Sequence, residues 1–175
     1  MEREIVLIFD IETDGLIQDV TQIHCLSIYD TTTKEILSYN DQSLTRTISE
    51  GLLFLQQADC IIGHNIIGFD LPVIHKLFGW FTSNTVIDTY LLSRLYHTNI
   101  LGIDKKHNWK HMPLQMYGRH SLEAYGYRLG EYKQDYSKTT DWKEWSQEMQ
   151  DYCIQDVKVT AKLWQHFHKY LNGSN

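Results

Sequence analysis

Ile5-Val6-Leu7-Ile8-Phe9-Asp10-Ile11-Glu12-Thr13-Asp14-Gly15-Leu16 joins a continuous apolar run to a cluster of acids. Five apolar residues in a row suit a strand buried on both faces, the signature of a central strand in an α/β sheet. Side chains alternate along a strand, so Asp10 and Glu12 point to the same side. Two carboxylates so close repel each other unless a divalent cation lies between them. A polar strand end followed by an Asp-Gly turn explains this stretch alone equally well.

Working outward, Ile23 to Tyr29 is expected as a second strand, Asp30-Thr31-Thr32-Thr33 as a turn, and Glu35 to Tyr39 as a returning third strand. Leu44, Ile48, Leu52 and Leu55 follow at helical spacing. Cys60 to Gly63 reads as a fourth strand and Leu71 to Phe78 as a helix with Pro72 in its first turn. Thr85 to Ile87 is the fifth strand, and Asp88 caps a helix over Thr89 to Tyr96. Residues 97–120 and 130–142 lack clear periodicity and are expected to be irregular. Between them Ser121 caps a short helix through Tyr127. A last helix runs from Ser146 to Leu171, with Ile154, Val157, Ala161 and Trp164 as its apolar stripe. A hairpin-started, mixed five-stranded sheet flanked by helices is an α/β sandwich, and residues 1–175 read as a single domain.

Two further acidic stretches follow strand or helix signals. His64-Asn65-Ile66-Ile67-Gly68-Phe69-Asp70 comes just after the fourth strand, where Asp70 also has the character of a helix cap. Tyr152-Cys153-Ile154-Gln155-Asp156 opens the last helix, and Tyr152 and Asp156, four apart, share a face. Together Asp10, Glu12, Asp70 and Asp156 offer an all-oxygen set suited to two Mg²⁺ or Mn²⁺ ions. Such a pair of ions serves in-line attack of water on a phosphodiester.

These stretches, DIET, NIIGFD and YCIQD in that order, resemble the three exonuclease motifs of the DnaQ-like (DEDD) superfamily. Tyrosine four residues before the last aspartate resembles the DEDDy branch; the DEDDh branch would place histidine where Asp151 stands. VIDTYLLSRLYHTN, GRHSLEAYGYRLGEYK and EMQDYCIQDVKVT extend the likeness to the proofreading domain of phage family A DNA polymerases of the thioredoxin-using type. The resemblance implies an RNase H-like fold and a metal-dependent 3′→5′ exonuclease that removes nucleotides from single-stranded or frayed DNA 3′ ends. It implies that Asp10, Glu12 and Asp156 hold one ion, that Asp10 and Asp70 share the second, and that Tyr152 orients the attacking water. Thr13, Leu16, Asn65 and Phe69 match positions that contact the terminal nucleotides. Relatives of this type carry a polymerase domain after the exonuclease, so this chain is expected either to act with a separately encoded DNA polymerase or to act alone. An exoribonuclease, a non-catalytic nucleic-acid or polymerase-binding domain, and an endonuclease of RNase H type are the alternatives. The intact acids and Tyr152 count against the second, and the tyrosine-containing third motif against the last.

Composition narrows the setting. A net charge of −6 over 175 residues disfavours a protein that coats nucleic acid by bulk electrostatics. The N-terminus lacks the pattern of a signal peptide, and no apolar run approaches a membrane span, so a cytoplasmic location is expected, that of a host cell if the chain is phage-encoded. Cys25, Cys60 and Cys153 are expected as small buried hydrophobes. His64 is expected to be structural, Asp88 a helix cap, Asp151 outside the site, and Trp142, Trp145 and Trp164 packing residues. Lys105, Lys106, His107, Lys110, His111, Arg119 and His120, with Trp109 and Tyr117 among them, form a basic stretch. A solvated loop and a track for a nucleic-acid strand explain that stretch equally well. A zinc site at His107 and His111 lacks further ligands nearby.

Overall fold

The computed structural model describes residues 3–80, 82, 84–131 and 141–173. Its centre is β1 (Val6–Thr13), with β2 (Ile23–Asp30) and β3 (Ile36–Asn40) on one side and β4 (Cys60–Gly63) and β5 (Thr85–Asp88) on the other. The order is β3-β2-β1-β4-β5. The β1–β2 and β2–β3 pairs are antiparallel, and the β1–β4 and β4–β5 pairs are parallel. This is the mixed sheet expected from the apolar run at its centre, buried on both faces.

Each face of the sheet has its own helical cover. Leu7, Phe9 and Ile11 project with Leu26, Ile28 and Ile61 onto α1 (Ile48–Gln57) and α2 (Asp70–Phe78), meeting Leu52, Leu55, Val73 and Ile74. Ile8 and Ile62 project the other way onto Val157, Ala161 and Trp164 of α6 (Gln147–Leu171). Leu7, Phe9 and Ile61 are completely inaccessible to solvent, and burial of such side chains contributes about 1.5–3 kcal/mol each. A further face of α6, with Val159, Leu163 and Phe167, packs on Ile100 and Tyr125 and so gathers α3 (Thr89–Tyr96), α4 (Ile100–His107) and α5 (Leu122–Arg128).

Two caps follow the sequence: Asp88 accepts from the amide of Tyr90 and Ser121 from Ala124. The last helix starts one residue later than expected, because Ser146 is its cap and accepts from Met149. Helix α1 begins later than the periodicity predicts, because Thr47 supplies its cap and Leu44 is left 95% exposed. The stripe on α6 also differs: Val157, Ala161 and Trp164 pack as expected, whereas Met149, Cys153, Leu163 and Phe167 carry more of the buried surface than Ile154. One helix serving both the sheet and α3–α5 needs an apolar arc wider than one stripe.

The stretch 97–120 departs most from expectation. It contains α4 and a single 3₁₀ turn at Leu114–Met116. Only Ile100 and Asp104 of α4 are buried, so no hydrophobic period marks it. Asp104 organises it instead, accepting from Trp109 Nε1 at 2.9 Å, from the Gly118 amide at 2.8 Å and from the Arg128 guanidinium at 2.7 and 2.9 Å. Of the irregular stretch expected over 130–142, residues 132–140 lie outside the described residues. No helix among the described residues is long and apolar enough to cross a membrane.

Candidate metal centre

Register places the acids. Asp10 lies opposite Ser27 and Glu12 opposite Cys25, and the pairing shifts between Glu12 and Thr13. Both acids share the face of β1 that carries Ile8, which is the face covered by α6. The first turns of α6 therefore meet the end of β1. Cys153 Sγ donates to the Asp10 carbonyl at 3.3 Å. Ligand-type atoms of Asp10, Glu12 and Cys153 lie within 4.8 Å of one another. Tyr152 and Asp156 sit on the same helix, one residue before and three residues after Cys153. Burial, then the neighbouring Asp156, Glu12 and Asp10, push the Tyr152 hydroxyl far above its ordinary range. It is therefore a protonated donor facing acids at any neutral pH.

Asp70 arrives from the other side. β1 pairs with β4 only from Val6 to Ile8, so the amide of Ile11 lies beyond the parallel ladder. Asp70 Oδ2 accepts from that amide at 3.3 Å. Asp70 is the first residue of α2 rather than its cap, which is Phe69. Burial, with Asp88 and Asp156 adding negative charge, pushes its carboxyl up to about 8. A cation beside these acids would reverse that shift by favouring the ionised form.

β1 and β4 are parallel, so the loops after them emerge at one edge of the sheet, where open α/β sheets bind ligands. In the first loop Thr13 Oγ1 donates to the Gly15 carbonyl at 2.8 Å, and Lys76 of α2 holds the Ile17 and Gln18 carbonyls. Leu16 stands 73% exposed between these anchors. In the second loop Asn65 is exposed with φ of 60° in the left-handed region. Asp88 accepts from the amides of Asn65 and Ile67 at 2.8 and 3.0 Å. Phe69 is half-buried and packs against the core below α2. Gly63 is required because a Cβ there would overlap Ile66 and lie 3.1 Å from the Phe9 carbonyl.

His64 braces this loop. Its Nε2 donates to the His120 carbonyl at 2.9 Å, so in the neutral ring Nδ1 accepts from the Thr89 hydroxyl at 2.8 Å. Burial depresses its pKa to about 4, which keeps the ring neutral and structural. Asp151 is exposed and accepts from Gln147. Trp142 sets its ring edge-to-face with Tyr152 at 6.4 Å and packs with Trp145 beside Cys25, Met149 and Cys153. All three cysteines are free and buried.

The donor set fits a hard divalent cation. Asp10, Glu12, Asp70 and Asp156 offer oxygen, and the Cys153 thiol, pushed well up by burial, is a weak donor rather than a thiolate ligand. The structure thus brings the acids and Tyr152 to one end of the sheet, with Leu16 and Asn65 on loops at the same edge. Reading by motif missed two positioning residues. Cys153 was read only as a hydrophobe, and Asp88 only as a cap, although it also ties down the 65–67 backbone. A carboxylate at the end of β5, beside the loop after β4, was the available signal.

Comparison with known proteins places the chain more closely. The sequence pattern of the RNase_H superfamily matches residues 7–168. The DNA-directed DNA polymerase of Escherichia phage T7 is 32% identical over 182 residues, covering 90% of this chain and 26% of that protein. The chain therefore spans well under half of that relative's length. Brucella melitensis NrnC bound to pGG superposes with a TM-score of 0.61 at 20% identity, covering 97% of this chain and 75% of NrnC. Escherichia coli RNase D, an exoribonuclease involved in structured RNA processing, gives 0.55 at 17% identity, over 93% of this chain and 40% of that one. At these identities the two structures speak for the fold.

Proposed function

This chain belongs to the RNase_H superfamily, and on that premise we propose that it is a metal-dependent 3′→5′ exonuclease acting on single-stranded or frayed DNA ends. The observation that carries this reading is the cluster of Asp10 and Glu12 at the end of β1, within 4.8 Å of Cys153 on the helix that also bears Tyr152 and Asp156. Identity to a phage DNA polymerase across 90% of the chain supports DNA over RNA. In this reading its biological setting is proofreading alongside a DNA polymerase. The chain acts as one domain in this reading.

Asp10, Glu12 and Asp156 would hold one Mg²⁺ or Mn²⁺, and Asp10 with Asp70 a second. Bound there, the cations would supply positive charge that offsets the charge building up in phosphodiester hydrolysis. Tyr152 donates a hydrogen bond that orients the attacking water, leaving a lone pair of that water aimed at phosphorus. The water oxygen bonds to phosphorus and gives up one proton to solvent, the bond to the 3′ oxygen breaks, and that oxygen takes up one proton from solvent. Leu16 packs against the terminal base, and Asn65, held by Asp88, contacts the last nucleotides together with Thr13 and Phe69.

The test is digestion of a 5′-labelled single strand in Mg²⁺ or Mn²⁺. A ladder shortening from the 3′ end, lost in EDTA and in Asp10→Ala, is the expected result. Faster cleavage of the matching RNA would replace DNA as the substrate. A strand that binds but stays intact would refute catalysis.

A further inference from the structure

We propose that the surface formed by α4 and the segment after it is a second contact for the nucleic-acid strand, a stacked-ring platform edged by cations. The proposal rests on the nuclease reading for its substrate class. Residues 105–122 contain no Asp or Glu, in a chain that has 22 acids against 16 Lys and Arg. Lys105, Lys106, Lys110 and Arg119 fall within this stretch, and all four are exposed. The helix dipole accounts for cations in the last turn of α4, but Lys110 and Arg119 lie beyond that turn.

The surface is also built rather than loose. The His107 ring lies on the Trp109 indole with centroids 3.4 Å apart and 13° between planes. The indole is itself fixed, because its Nε1 donates to Asp104, a carboxylate with no exposed surface. Asp104 is paired with Arg128, whose side chain is 6% exposed. A buried ion pair adds little stability over apolar packing, and this one holds the indole through the shared Asp104 carboxylate. The result is a pair of stacked rings with His107 outermost and exposed. Flat rings beside cations suit a single strand, whose bases stack on the rings while its phosphates meet the lysines. The stretch ends at the metal centre's own loop: His120 accepts from His64, the residue before Asn65. A strand whose 3′ end lies at the acids can therefore continue along this face.

The experiment is equilibrium binding of a fluorescent oligothymidylate to the whole chain in EDTA, where the strand stays uncut, over a series of salt concentrations. A triple Lys105→Ala, Lys106→Ala, Lys110→Ala protein is expected to bind roughly tenfold or more weakly at low salt. Its slope of log affinity against log salt should flatten by about 2, three contacts at about 0.7 each. His107→Ala should weaken binding with the slope unchanged, because stacking releases no counterion. Far-UV circular dichroism and Tm confirm that each variant is folded. Wild-type affinity and slope in the triple variant would overturn the platform. The 3′ ladder assay reads the nuclease claim separately: a ladder with unchanged binding sinks only the platform, and altered binding without a ladder sinks only the nuclease.

Discussion

Tyr152 shows how one side chain acquires a role from its surroundings. Burial and the nearby acids make its hydroxyl hold its proton, so it can donate a hydrogen bond but cannot act as a base. Tyr152→Phe keeps the ring against Trp142 and removes only that donor. We expect kcat to fall by about a hundredfold with Tm unchanged, the scale for losing one oriented hydrogen bond in a transition state. Single-turnover cleavage of the labelled strand measures it. His64 makes a prediction about pH. Its folded pKa is about 4, below the 6.5 of a free imidazole, so the unfolded chain takes up the proton first. Its contribution is present above pH 6.5 and is lost as pH falls toward 4. The urea midpoint should therefore drop over that window, and less so in His64→Gln.

Elements meet here at points that tolerate no extra volume. Gly51 in α1 brings the helix against the sheet: a Cβ would lie 2.5 Å from Leu26 Cδ2 and 2.8 Å from the Tyr39 ring. Those neighbours are buried side chains of β2 and β3, so they must repack within the core to make room. Gly51→Ala, which improves intrinsic helix propensity, is expected to destabilise by about 1–3 kcal/mol through overpacking. Chemical denaturation decides between the two effects. A gain in stability would mean that α1 can shift outward. At the other face, α6 sets the candidate site, because Cys153 is bonded to the Asp10 backbone and carries Tyr152 and Asp156 with it.

At the scale of the molecule, the proposed cation site would couple binding to folding. Asp70, held up to about 8, sits with the other acids more comfortably when a cation is present. Mg²⁺ at a hundred times its dissociation constant should stabilise the fold by about 2.7 kcal/mol per site, read as a rise in Tm that EDTA abolishes and that Asp10→Ala lacks. Much of this was legible in one dimension. The run Ile5–Phe9 announced a central strand because five apolar residues in a row suit a strand buried on both faces. Asp88 and Ser121 announced helix starts because short polar side chains satisfy free amides. Asp10, Glu12, Asp70, Tyr152 and Asp156 stood out as residue types in a familiar order. Helix α4 was not legible, since its order comes from a carboxylate bonded to residues up to 24 positions away rather than from a hydrophobic period. Nor could local pattern show that Asp88 holds the Asn65 loop or that Cys153 docks on Asp10. Those bonds join residues 23 and 143 positions apart, and only the pairing of β4 with β5 and the packing of α6 on the sheet bring them within reach.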